Sequence, residues 1–115
     1  MVGREITGAH YGLRDWLAQR ITAIVMALYT LLLLALLSGA PKLDFAAWRL
    51  LFAPQWMKLA TLLFVLSLYF HAWVGVRNIV MDYIKSSSLR LALYVIVIAA
   101  LIVYAGWSAQ ILWSI

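Results

Sequence analysis

Three long stretches without a charged residue, 21–41, 59–76 and 91–115, constrain this chain more than any other feature. A helix rises about 1.5 Å per residue, so it needs roughly 20 apolar residues to cross about 30 Å of hydrocarbon. The first and third stretches have that length. The second reaches it by running past Arg77, whose long stem lets its charge snorkel to the interface. With 67% of the residues hydrophobic and 11% charged, a water-soluble globule would lack the polar surface to cover itself. The expectation is an all-α integral membrane protein with three transmembrane helices at about 18–40, 57–81 and 89–113, forming one membrane-anchor domain over residues 1–115. A cleavable signal peptide at the first stretch is disfavoured, because a signal core has only about 7 to 15 apolar residues.

The net charge of +5 does not point to nucleic acid, because the nine basic residues are dispersed between apolar runs rather than gathered in a patch. Their distribution reads as topology. Arg4, Arg14, Arg20, Arg77, Lys85 and Arg90 fall on one side of the predicted spans, and Lys42, Arg49 and Lys58 on the other. That asymmetry puts the N-terminus in the cytoplasm and the C-terminus outside, in the periplasm of a bacterial inner membrane. Trp48, Trp56, Trp107 and Trp113 then mark the outer interface and Trp16 the inner one. The absence of cysteine excludes disulfides, thiolate-bound iron–sulfur clusters and thiolate zinc sites in this chain.

Between these landmarks the local readings are modest. Residues 1–11 lack a period and read as an extended cytoplasmic arm, with His10 a solvated histidine. The stretch GLRDWLAQR alternates apolar and polar groups at helical spacing, which suits a lead-in at headgroup level. Arg20 closes it, either snorkelling or turning inward to meet an anionic group. Asp44 is an N-cap for a short outer interfacial helix over about 44–53. Ala99, Ala100, Ala105 and Gly106 give the third span a small-residue surface for close helix approach.

The second span carries the unusual chemistry. In YFHAWVGVRNIVMDYIK, and just before it, Phe64, Ser67, His71, Gly75, Asn78 and Asp82 share one helical stripe. A polar stripe in a membrane faces protein, a cofactor or water rather than lipid. His71 has three readings: a hydrogen bond to another helix, a proton relay, or ligation of haem iron, for which Gly75 one turn on leaves room beside the helix. A six-coordinate haem would need its second ligand from another subunit. Asp82 and Tyr83, roughly 16 Å further along the axis, suit either a belt tyrosine with a charged turn to Lys85 or a site for a quinone head group. In the second case the phenol donates to a carbonyl and the carboxylate relays protons.

The order His71, three residues, Gly75, six residues, Asp82-Tyr83 closely resembles the small hydrophobic membrane anchor of succinate dehydrogenase, the succinate:ubiquinone oxidoreductase or respiratory complex II. The likeness extends through GLRDW, RITAIV and the LRL that opens the third span. It implies three helices packing with a second three-helix cytochrome b subunit, and a role in electron transfer from succinate to quinone in the tricarboxylic acid cycle. By the same resemblance His71 is an axial ligand of haem b shared with the cytochrome b subunit, and Arg20 lies by the haem propionates. Tyr83 bonds ubiquinone and Asp82 serves quinone and proton access, with no catalytic residue otherwise assigned. FAD and iron–sulfur clusters would reside only in the flavoprotein and iron–sulfur partner subunits, where succinate is oxidised. Arg77 and Asn78 depart from the family pattern and take no role from it. The rival readings are a quinol:fumarate reductase anchor, a purely structural assembly anchor, and a small oligomeric transporter. The transporter would require an acid inside a span, and the sequence places none there.

Overall fold

The computed structural model describes the backbone of residues 2–115 and the side chains from Gly12 onward. It is all helical: α1 (Val2–Ser38), α2 (Phe45–Phe52), α3 (Gln55–Tyr83) and α4 (Ser87–Trp113). Three of these, α1 from Gly12, α3 and α4, are long and apolar enough to cross a membrane. At about 1.5 Å per residue, α3 measures roughly 44 Å and α4 roughly 40 Å, so both exceed the hydrocarbon thickness.

Local sequence explains the helix ends. α1 stops at Ser38, where Gly39 and Ala40 lead into Pro41; a residue before proline avoids the α region, and the Ser38 hydroxyl closes the last turn on the Ala35 carbonyl at 2.8 Å. Asp44 caps α2 as expected, its carboxylate accepting from the Ala47 N–H at 2.9 Å. Pro54 separates α2 from α3. Ser86 caps α4, accepting from the Leu89 N–H at 3.4 Å, and Arg90 reaches back across the turn to donate to the carbonyls of Ile84 and Met81. This guanidinium satisfies carbonyls that the end of α3 leaves without helical partners.

The N-terminal segment differs from the expected extended arm, since α1 is continuous from Val2. No proline interrupts it, and a helix already nucleated in the span extends at little cost per residue. The His10 reading lies outside the described side chains.

The packing is a row with α3 in the middle, flanked by α1 and α4, with α2 lying against the start of α3. Both long interfaces are antiparallel. Along α1 and α3, Tyr29 bonds Thr61 at 2.6 Å and stacks on Phe64 at 4.6 Å; Thr22 meets His71 at 3.0 Å, and Asp15 pairs with Arg77. Along α3 and α4, Lys58 donates to the Ile115 carbonyl at 3.3 Å, Tyr69 bonds Ser108 at 3.0 Å, and Trp73 meets Tyr94 edge-on at 5.6 Å. Interhelical polar bonds of this kind act as glue where apolar surface has no hydrophobic drive to associate.

Few side chains are buried within the chain itself, among them Met57, Val74, Val80, Ser67 and Tyr29. Leu, Ile and Val elsewhere along the spans are exposed, to be covered by lipid or protein. Gly106 was expected to admit a close helix, yet a Cβ there would meet nothing within 4 Å. The packing of α3 on α4 therefore does not depend on the small size of Gly106, while Ala105 lines a groove with Tyr69 and Trp73 of α3.

Candidate functional site

The predicted stripe on α3 turns toward α1. Phe64 stacks on Tyr29, Ser67 is buried, and His71 and Asn78 enter the wall of a cleft of about 580 Å³ between the two helices. That volume lies within the about 300–1,000 Å³ of ordinary ligand sites. From α1 the lining is Gly12, Asp15, Trp16, Gln19, Arg20 and Ala23. These positions recur at the three-and-four spacing of one helix face. The membrane helix thus presents a polar stripe of its own, opposite the one on α3.

Thr22 of α1 contacts His71. Its hydroxyl lies 3.0 Å from Nδ1, 2.7 Å from the Ala18 carbonyl and 3.2 Å from the Gln19 carbonyl. Arg20 forms no ion pair among the described residues; its guanidinium lies 5.2 Å from the centroid of the Trp16 ring, a cation–π contact that parks a free cation along the cleft wall. The two residues that the family resemblance assigns to haem, His71 and Arg20, line the same cleft.

Arg77 does not snorkel as expected. It turns onto α1 and pairs with Asp15, the two side chains 29% and 37% exposed. The pair locks the end of α3 to α1 and occupies the cleft's rim with neutralised charge. Among the described residues, Gln19 Oε1 and Arg77 Nε are buried without a partner. Buried groups of this kind are normally satisfied, so the cleft as the single chain forms it is chemically incomplete.

Gly75 adds room. A Cβ at this position would meet no atom within 4 Å, so α1 and α4 do not need its small size, and open space lies beside the helix one turn from His71. No group of three or more His, Cys, Asp or Glu able to hold a bare metal ion occurs among the described residues. What the donor set does fit is a metal already carried in a macrocycle: one imidazole for an axial position, a free guanidinium for an anionic edge, and bare helix surface beside them.

Asp82 and Tyr83 stand apart from this cleft. They occupy the final turn of α3, with Tyr83 78% exposed, and among the described residues they form no hydrogen bond or ion pair, Lys85 included. Arg90 holds the turn in place from below through the Met81 carbonyl at 3.0 Å. The two sites are therefore separate, one between helices and one at a helix end.

Sequence reading missed Thr22, the Asp15–Arg77 pair and Arg90. Thr22 stands inside RITAIV with no periodic mark of its own, because its partner is 49 residues away. A face-by-face reading of α1 would have found the polar set from Gly12 to Arg20, which the sequence reading placed only as a headgroup-level lead-in.

This arrangement has relatives. The sequence model of the Succinate dehydrogenase/Fumarate reductase transmembrane subunit family matches residues 3–106. A protein of Coxiella burnetii (strain RSA 493 / Nine Mile phase I), the "Succinate dehydrogenase hydrophobic membrane anchor subunit", is 36% identical over 102 residues, covering 89% of this chain and 89% of that protein. Three helices able to span the bilayer, one of them bearing the His71 stripe, belong here to a multi-pass inner-membrane protein, and the chain is a member of the succinate dehydrogenase/fumarate reductase transmembrane subunit family.

Proposed function

We propose that the chain anchors a succinate dehydrogenase to the inner membrane, supplies one axial imidazole to a shared haem b, and forms part of the site where ubiquinone is reduced. The observation that carries this reading is the cleft lined by both His71 and Arg20, the latter without an ion pair among the described residues, with open space at Gly75 one turn from His71. It is supported by the relative named a succinate dehydrogenase anchor.

Each residue has a task its chemistry allows. His71 would hold the haem through an imidazole nitrogen, with a histidine of the cytochrome b subunit as the other protein ligand. Arg20, held over Trp16, is the cation that offsets propionate charge. When bound, haem supplies a one-electron redox centre whose potential its ligands and surroundings set. At the other site, the Tyr83 phenol donates a hydrogen bond to a quinone carbonyl. Such a bond strengthens as negative charge develops on that oxygen, so it favours reduction over mere binding. Asp82, exposed beside it, exchanges protons with water on the N-terminal, cytoplasmic side and delivers them to the reduced oxygens. Flavin and iron–sulfur centres belong to the flavoprotein and iron–sulfur partners, since a chain with no cysteine has no thiolate for a cluster.

An anchor for quinol:fumarate reductase uses the same anatomy, and the family itself spans both; the preferred direction of turnover separates them. An ion-coupled transporter is disfavoured by the carboxylates. Asp15 is paired with Arg77, Asp44 caps α2, and Asp82 is at the helix end, which leaves no free acid within a span among the described residues to couple ions.

Purification through a tag on this chain tests the proposal. It should bring down a flavoprotein, an iron–sulfur protein and a second membrane subunit, with succinate:quinone activity in excess of fumarate reduction. Recovery of the chain alone, as a homo-oligomer, would refute it.

A further inference from the structure

We propose that Thr22 is the positioning residue of His71: its hydroxyl selects the imidazole tautomer and ring orientation that leave Nε2 free to bind iron. The proposal rests on the reading of His71 as a haem ligand and adds how an α1 residue prepares it.

A threonine hydroxyl has one hydrogen and two lone pairs. Its oxygen lies 2.7 Å from the Ala18 carbonyl and 3.2 Å from the Gln19 carbonyl, and carbonyl oxygens only accept. The hydrogen is therefore committed to that side, and toward His71 Nδ1, 3.0 Å away, the oxygen presents a lone pair. Nδ1 must meet it as an N–H donor. A neutral imidazole with its proton on Nδ1 carries its lone pair on Nε2, across the ring. The reverse arrangement, with Thr22 donating to Nδ1, would abandon both carbonyls and put a proton on Nε2, where it would block ligation.

Geometry makes the restraint firm. Thr22 is β-branched, with few rotamers open to it in a helix, and its bond back to the carbonyl four residues earlier selects one of them. Because Nδ1 is tied to α1, Nε2 on the far side of the ring is turned away from that tie. Arg20 is two residues from Thr22 on the same helix, so one rigid element sets both the ring and the cation. Ligating histidines commonly donate their second N–H in this manner, and losing that acceptor costs roughly 10- to 100-fold in metal affinity. An accepted N–H also gives the ring partial imidazolate character, which favours ferric iron and lowers the reduction potential.

The test uses the assembled complex with Thr22→Val, which keeps the shape and removes the hydroxyl, Thr22→Ala as a second deletion, and Thr22→Ser, which restores the hydroxyl. Haem per complex, reduction potential and the electron paramagnetic resonance of the ferric haem are read in each. Thr22→Val and Thr22→Ala should bind haem roughly tenfold or more weakly, and the haem that remains should titrate at a higher potential with altered resonance positions. Thr22→Ser should return all three toward the wild type. Unchanged potential and resonance in Thr22→Val would overturn the positioning role while leaving His71 as ligand. Failure of both deletions to assemble, with Thr22→Ser intact, would overturn it in favour of simple helix cement. Full haem content in His71→Ala would remove the reading beneath it.

Discussion

Tyr83 and His71 were both legible from the sequence as residues out of place, a phenol beside an acid at a helix end and an imidazole in an apolar run. What each touches was not legible. His71 meets Thr22 through a contact 49 residues long in sequence, and periodicity on α3 carries no information about α1. Tyr83 is 78% exposed with a hydroxyl unpartnered among the described residues, so its replacement should leave the chain's own packing untouched. Tyr83→Phe should reduce succinate:quinone turnover roughly tenfold, the equivalent of one hydrogen bond worth about 1.4 kcal/mol. Succinate oxidation with an artificial acceptor should stay unchanged. Parallel measurement of both activities checks this, and equal loss in the two would mean that the residue serves assembly.

Gly75 makes a complementary prediction. A Cβ there meets nothing within 4 Å, so Gly75→Ala should preserve helix content and complex yield. Gly75→Leu, whose bulk would project into the open flank, should fold as well but lose haem. Normal haem content in an assembled Gly75→Leu complex would show that the flank is lipid-facing surface.

At the scale of the element, sequence reading succeeded where the determinants are local. Asp44 as a cap and the prolines as breaks gave α2 and its surroundings, because capping and backbone restriction act within four residues. It failed at the N-terminal segment, where continuity with an existing helix outweighed the lack of a period, and at Arg77. An arginine near a membrane edge reads as snorkelling unless an acid on another helix is known to face it. The Asp15–Arg77 pair should hold α1 on α3. Asp15→Ala leaves the guanidinium, whose Nε already lacks a partner, without its countercharge, at a cost of about 1–3 kcal/mol. The double change Asp15→Leu with Arg77→Met should recover most of that loss, since removing both charges also removes their desolvation cost. Detergent-induced loss of helicity measures both; additive losses would argue against the coupling.

For the molecule as a whole, the three spans were legible from hydrophobic run lengths alone, whereas the row arrangement of α1, α3 and α4 was not. A polar stripe marks the face of α3 that meets protein, but it does not say which helix meets that face, and the apolar surface of α4 carries no such mark. The row leaves both flanks of α3 partly uncovered. The orientation we propose from the basic residues is simple to test in a cysteine-free sequence. A cysteine introduced at Lys85 should react with an impermeant maleimide only from the cytoplasmic side, and one introduced at Lys42 only from the periplasmic side. The opposite pattern would invert the topology and place the Asp82–Tyr83 end away from the succinate-oxidising partners.

The central claim is that His71 in the α1–α3 cleft ligates haem, and the reduced-minus-oxidised visible spectrum of the assembled complex tests it most directly, taken on the wild type and on His71→Ala with partner subunits quantified in each. A bis-histidine b-haem signal in the wild type that disappears or changes ligation in His71→Ala, at equal content of flavoprotein and iron–sulfur protein, is the predicted result. An unchanged spectrum in the fully assembled variant, or no haem in the wild type with the same partners present, would contradict it.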